Sequence, residues 1–152
     1  MMTVIKNNKG PISASEIDNL EQRLSIKLPA KYRDFLEEYN GGYPEPDGFL
    51  FKDESDGSSV DRFFGLHLGM HHNLEKYLDT YAGRIPKNLF PIARDPGGNL
   101  VVIGLSGDEK NKIYFWDHER EADGYEPDMS NVHLVANGFD EFLGLLYEID
   151  IN

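Results

Sequence analysis

The 152-residue sequence has no cysteine, and that absence removes disulfide staples, thiol catalysis and cysteine metal sites together. It suits a reducing cytoplasm. Long apolar runs are missing as well. No stretch approaches the roughly 18 apolar residues of a membrane span, and the first ten residues carry Lys6 and Lys9 but nothing like the apolar centre of a signal peptide. A soluble, cytoplasmic protein with no membrane contact is expected. Positive charge is also scarce, and unevenly so. Against 27 Asp and Glu stand 15 Lys and Arg, a formal net charge of −12. Six acids balance six bases up to residue 40, so the whole excess falls in 41–152, and beyond Arg120 come eight acids with no Lys or Arg. Such a surface repels nucleic acid and anionic membrane and attracts basic partners. The plainer account is that acidity keeps the protein soluble.

What is present reads as one folded domain. A composition of 39% hydrophobic and 12% aromatic residues is too apolar for a disordered acidic chain, and 152 residues can bury a core unaided. Ser13 and Glu16 have capping-box spacing, Ile12 and Ile17 have that of a hydrophobic staple, and Ile17, Leu20 and Leu24 follow one helical face. After Leu28-Pro29, with Pro29 suited to a first turn, Tyr32, Phe35, Leu36 and Tyr39 mark a second helix that Asn40-Gly41-Gly42 ends. Short strands are expected at Phe49–Phe51 and Val60–Leu68, and a third helix over 72–82. Strands follow at Phe90–Arg94, Leu100–Leu105 and Lys112–His118, with a tight turn at Asp95-Pro96-Gly97-Gly98. An acidic loop, Glu119–Ser130, leads to a strand at Val132–Val135, and Asn137 is placed to cap a last helix carrying Phe139, Phe142, Leu143 and Leu146. This order gives an α+β fold, an antiparallel meander with helices packed on it.

Every candidate for chemistry has a simpler structural account. His67, His71 and His72 could be combined with Glu75 or Asp79 around a metal, but their spacing matches no ligand signature. Gly104-Leu105-Ser106-Gly107-Asp108 lacks the second glycine of a nucleophile elbow and suits a hairpin turn. Asp117-His118-Glu119 resembles acid/base equipment, yet neighbours on a strand face opposite ways. Asp95–Asn99 lacks the Lys-Ser/Thr of a phosphate loop. No enzyme, no metal and no cofactor are therefore expected.

Taken in order, these pieces resemble the SUKH superfamily of Smi/Knr type. The resemblance rests on Ile12–Leu24, Leu28-Pro29, Tyr32–Tyr39 and Asn40-Gly41-Gly42, then Phe90-Pro91-Ile92-Ala93, Gly98-Asn99 and Leu100–Ile103. Ile113–Glu119 and Asn137–Leu143 complete it, so that it spans about 12–147. It implies a single SUKH-like domain, a meander flanked by an N-terminal helix pair, a middle helix and a C-terminal helix. It further implies a non-catalytic protein binder. Bacterial members are similar to immunity proteins that block a cognate polymorphic toxin, often a nuclease, RNase somewhat favoured over DNase. Relatives in eukaryotes act in cell-wall regulation, so a regulatory or scaffold module for an endogenous partner is the alternative.

A nuclease holds polyphosphate in a basic cleft, and clustered carboxylates can imitate that phosphate field, steer encounter and occlude it. The carboxylates expected to do so are loop-borne: Asp47, Asp53, Glu54, Asp56 and Asp61, then Asp117, Glu119, Glu121, Asp123 and Glu126. Tyr43, Phe49, Phe51 and Trp116 lie in or beside loops and strands, where core packing is the default and any left exposed would anchor a partner. Trp116 is the one placed with these carboxylates as a partner-binding residue.

Overall fold

The computed structural model describes residues 3–69 and 71–149. Helices α1 (Ala14–Leu24) and α2 (Ala30–Tyr39) flank the Leu28-Pro29 step. Ile17 and Leu20 are buried, while Leu24 at the end of the same stripe is left 40% exposed. Asn40 ends α2 in the left-handed conformation, φ 47°, which Asn tolerates better than most residues. Its buried side chain is used twice: Oδ1 accepts from the Leu66 amide (2.7 Å) and Nδ2 donates to the Leu66 carbonyl (3.0 Å). That fastening explains Gly65, where a Cβ would sit 2.6 Å from the Asn40 carbonyl oxygen.

The capping box expected at α1 does not form. Ser13 makes no side-chain cap bond, its hydroxyl meets Ser15 Oγ at 3.0 Å, and Glu16 reaches instead to His67 Nε2 at 2.9 Å. A partner 51 residues away, invisible to local spacing, has taken the glutamate.

Strands β1 (Val4–Lys6) and β2 (Tyr43–Glu45) pair antiparallel, and β3 (Gly48–Leu50) and β4 (Gly57–Ser59) form a hairpin. The main sheet is a five-stranded antiparallel meander in the order β5 (Arg62–Phe63), β6 (Leu89–Arg94), β7 (Leu100–Gly104), β8 (Ile113–Trp116), β9 (Val132–Ala136). Helix α3 (Leu74–Tyr81) lies between β5 and β6, and α4 (Phe139–Leu145) follows β9. The strand expected over Val60–Leu68 is thus reduced to two residues. The chain turns out of the sheet at Gly65 and at His67, whose φ is 59°.

Register assigns the two faces of the sheet, because side chains on successive residues of a strand alternate. Phe63, Ala93, Val101, Phe115 and His133 lie in one row across it. This face meets α2, α4 and the β3–β4 hairpin: Phe35 packs on Phe63 (4.7 Å between ring centres), Phe49 on Phe142 (5.7 Å) and Phe51 on Phe115 (5.1 Å). Arg62, Arg94, Leu100, Trp116 and Val132 form the row on the other face. There α3 stacks Tyr77 on Phe64 (3.8 Å) and sets Tyr81 edge-on against Trp116 (5.6 Å).

Three element ends differ from expectation. α3 starts at Leu74, because Asn73 caps it by accepting from the Glu75 amide (3.0 Å), so His71 and His72 precede the helix. β8 stops at Trp116, and Asp117 caps a 3-10 turn, His118–Arg120, through the Glu119 amide (3.0 Å). α4 is capped at Gly138 rather than Asn137, whose amide donates to Glu141 Oε2 (2.7 Å). No described helix is long and apolar enough to cross a membrane.

Candidate functional site

Meander topology decides where the acidic segments go. β6 ends at Arg94, β7 begins at Leu100, β8 ends at Trp116 and β9 begins at Val132, while Arg62 opens β5 opposite Arg94. The 95–99 turn, the 117–131 loop and the 57–61 segment therefore all leave one end of the sheet. The β3–β4 hairpin spans that end. At its β4 side, Ser58 Oγ donates to Asp95 Oδ2 (2.8 Å). At its tip, the Lys52 amide donates to the Leu134 carbonyl of β9 (2.7 Å) and Phe51 stacks on His133 (4.6 Å).

Asp95 holds this end together. It is 4% exposed, and its carboxylate accepts from the amides of Gly97 (2.9 Å) and Asn99 (2.7 Å), from Asn99 Nδ2 (3.0 Å) and from Ser58. Asn99 Oδ1 in turn accepts from the His118 amide (3.0 Å), and His118 Nε2 contacts the Gly97 carbonyl (3.0 Å). Buried Asn131 donates through Nδ2 to the Asp117 carbonyl (2.9 Å). The Asp95–Asn99 turn and the Asp117-His118 segment are thus one hydrogen-bonded scaffold. His118 is spent on backbone contacts within it.

The carboxylates on this scaffold are not equivalent. Glu121 is clamped by Arg84, whose Nε and Nη2 donate to its two oxygens at 3.1 and 2.8 Å. That hydrogen-bonded guanidinium holds the Glu121 carboxyl below its ordinary value of 4.5, against the opposing effect of burial. Arg84 also stacks on Tyr81 (4.4 Å), so the loop is tied to the end of α3. Asp61 lies 3.2 Å from Arg94 Nε, and Asp117 3.7 Å from Arg120. Asp53 folds back on Ser55, accepting from its amide (3.0 Å) and hydroxyl (2.7 Å), and these two bonds lower its pKa. Asp56 accepts from the Gly57 amide (2.8 Å). Asp47 sits at the base of the hairpin, where its carbonyl accepts from Val60. Exposed Asp53, Glu54, Asp56, Glu119, Asp123 and Glu126 form no ion pair among the described residues. Asp128 on the same loop is likewise exposed and unpaired, accepting only from Ser130, and these seven are the sheet end's uncompensated charge.

Trp116 corrects the expectation placed on it. Its relative exposure is 0%, its ring enclosed beneath Tyr81 on the α3 face of the sheet, so it offers no surface to a partner. Phe49 and Phe51 are buried too. The described aromatic that reaches furthest into solvent is Tyr125, 60% exposed in the middle of the acidic loop, ahead of Tyr147 at 40%. It borders a groove with Gly83, Ile85, Lys87, Ala122 and Pro127. The signal was its setting, Gly124-Tyr125-Glu126-Pro127, which belongs to no helical or alternating period. A large amphipathic ring in that position suits an interface.

The remaining candidates for chemistry are occupied structurally. His67 lies between Glu16 and Glu75, with Nδ1 3.4 Å from Glu75, and Arg23 holds the same glutamate at 3.1 Å. Ser106 stands in the turn between β7 and β8, ahead of a 3-10 segment Gly107–Glu109. Among the described residues, no group of three or more His, Asp or Glu is placed to hold a metal ion.

Two comparisons with known proteins bear on this arrangement. The model of the SMI1 / KNR4 family (SUKH-1) matches residues 11–144, which takes in both N-terminal helices, the whole five-stranded sheet and most of α4. The SPbeta prophage-derived uncharacterized protein YokK of Bacillus subtilis (strain 168) is 33% identical over 146 residues, a match covering 84% of this chain and 71% of that protein.

Proposed function

The chain belongs to the SMI1 / KNR4 family (SUKH-1), and on that footing we propose that it is an immunity protein, one that binds and neutralises a cognate toxin in the cytoplasm of the cell that makes it. The family is generally non-enzymatic and typically acts through protein partners. The toxin is a nuclease, an RNase before a DNase, and inhibition is by occlusion of its basic active cleft.

The observation that carries this is the distribution of charge. The excess of twelve negative charges lies beyond residue 40, and seven exposed, unpaired carboxylates stand on the loops and hairpin at one end of the sheet. A nuclease cleft shaped to hold phosphates presents the complementary field. Loop-borne carboxylates steer such a partner, and on-rates rise by about 10- to 1,000-fold under favourable fields. The scaffold beneath them suits the task, because Asp95, Asn99 and Asn131 fix the loops before encounter and reduce the ordering cost of binding.

The test is co-expression with the product of the neighbouring upstream gene. The two proteins are expected to purify as a complex, and this chain to rescue cells from that product's toxicity. A neighbour without toxin character, together with no rescue of any toxin-expressing cell, would sink the proposal. A growth or envelope defect on deletion, in cells with no such toxin, would place the chain among regulators of an endogenous partner.

A further inference from the structure

Arg62 and Arg94 are register partners on β5 and β6, so their side chains rise from the same face with Cβ atoms about 5 Å apart. Like charges directly opposite each other destabilise a sheet. In a chain with 15 basic residues against 27 acids, electrostatics alone would separate them. Neither guanidinium is fully used. Arg62 lies over the Tyr43 ring, 4.7 Å from its centre, and makes no ion pair among the described residues. Stacking engages the flat of the guanidinium and leaves its in-plane N–H groups unspent. Arg94 Nε is 3.2 Å from Asp61 Oδ2, yet it is buried and forms no aligned hydrogen bond.

His72 completes the group. Its carbonyl accepts from the Gly65 amide (3.0 Å), which holds it beside the end of β5. Its Nδ1 is buried with no partner. Burial first, then the charges of Arg62 and Arg94, lower its pKa and keep the ring neutral near pH 7. Three side-chain polar atoms among the described residues are buried and unpartnered, and two of them, Arg94 Nε and His72 Nδ1, belong to this group, where the Arg94 charge is felt at the His72 ring. Buried polar groups are normally satisfied, and exceptions call for a missing partner.

We propose that Arg62, Arg94 and His72 form a binding site for a single carboxylate. Two guanidinium groups and one aspartate, Asp61, leave a net charge of +1 around it, which suits a monoanion. Guanidinium N–H pairs match the planar carboxylate in a fork geometry. A phosphate dianion would overcharge the site and meet the field of a chain at −12. The source is an Asp or Glu side chain of a partner protein or a free small carboxylate. The site stands whether or not the chain neutralises a toxin. In a complex with a basic cleft, it would fix register by receiving an acid among the bases.

The full chain is titrated with acetate, and separately with inorganic phosphate, at neutral pH and matched ionic strength, while NMR follows the Arg Nε and His72 ring signals. Saturable shifts at all three residues are expected with acetate, at lower concentration than with phosphate. Loss of one charge-assisted bond in R94Q or R62Q should weaken acetate about tenfold. R62Q removes a like charge and should fold at least as stably as the natural chain, so it keeps the test available if R94Q does not fold. Linear shifts that persist in both variants would overturn the site, and tighter phosphate than acetate would overturn the carboxylate assignment. A blocked peptide with one glutamate, compared with its glutamine counterpart, separates the sources. Glutamate-dependent binding assigns a protein side chain, and exclusion of the peptide with acetate still bound assigns a free carboxylate. Failure of a toxin complex with acetate binding intact counts against the immunity proposal alone.

Discussion

Asp95 shows how much one side chain can hold. Four donors converge on its carboxylate, two of them backbone amides of its own turn and one, Ser58, from the hairpin that crosses the sheet end. Replacing it with alanine leaves the two part-buried turn amides without their acceptor and releases the hairpin in one step. D95A is expected to lower stability by about 3 kcal/mol in urea unfolding, and S58A by about 1 kcal/mol. D95N should fall between them, since its one carbonyl oxygen keeps accepting from the backbone while its amide nitrogen cannot accept from Ser58. Equal costs for D95A and S58A would mean that the turn does not depend on the carboxylate. The sequence Asp-Pro-Gly-Gly-Asn made the turn legible; the use of its aspartate by a residue 37 positions away did not appear there. Trp116 was misjudged for a related reason. Its sequence neighbours Asp117 and His118 are polar and suggest a wet environment, but the lid over it, Tyr81, comes from a different element.

At the scale of elements, periodicity separated what could be read from what could not. Helices α1 and α2 carry an apolar stripe over two or more turns, and their extents follow from it. β6, β7 and β8 are continuous apolar runs bounded by turns and were equally plain. β1 and β2 were not legible: three residues cannot display a period, and Pro44 argues against a strand. They exist because each is an edge for the other, a pairing across 39 residues that only the closed fold supplies. The clamp on the acidic loop was hidden in the same way, since Arg84 and Glu121 are 37 residues apart. Its pH dependence follows from the sign of the shift. Arg84 depresses the folded-state pKa of Glu121 below 4.5, so the clamp's contribution is complete above that ordinary value and disappears as pH falls through the depressed one. The Arg84 side chain is 41% exposed, which limits the contribution to about 1 kcal/mol or less. E121Q should therefore be less stable than the natural chain at pH 7 and match it in acid. R84A should accelerate hydrogen exchange across 117–131 while leaving β7 and β8 protected. A stability gap between E121Q and the natural chain that persisted unchanged into acid would show that Arg84 does not set the Glu121 charge.

Over the whole molecule, the question is whether charge acts by amount or by place. A net charge of −12 draws any basic partner, so a loss of binding on neutralising acids would not by itself locate a surface. Two sets of equal size separate the alternatives. One removes Asp53, Glu54, Asp56, Glu119, Asp123 and Glu126, six of the seven unpaired carboxylates at the loop end of the sheet, as Asn and Gln. The other removes an equal number of exposed acids away from that end: Asp18, Asp34, Glu38 and Asp79 on α1, α2 and α3, Asp108 in the turn between β7 and β8, and Asp140 on α4. Both change the net charge identically, but only the first flattens the field at the proposed interface, because contributions from beyond about 8 Å are screened at physiological salt. Association with the proposed toxin partner, followed by stopped-flow fluorescence, should slow about 10- to 100-fold for the first set and far less for the second. The natural chain's on-rate should also fall as ionic strength rises, with the first variant nearly insensitive to it. An equal slowing by both sets would show that bulk charge rather than this surface does the steering. Rates untouched by either would leave the interface to the uncharged features of the same end, with Tyr125 the first residue to replace.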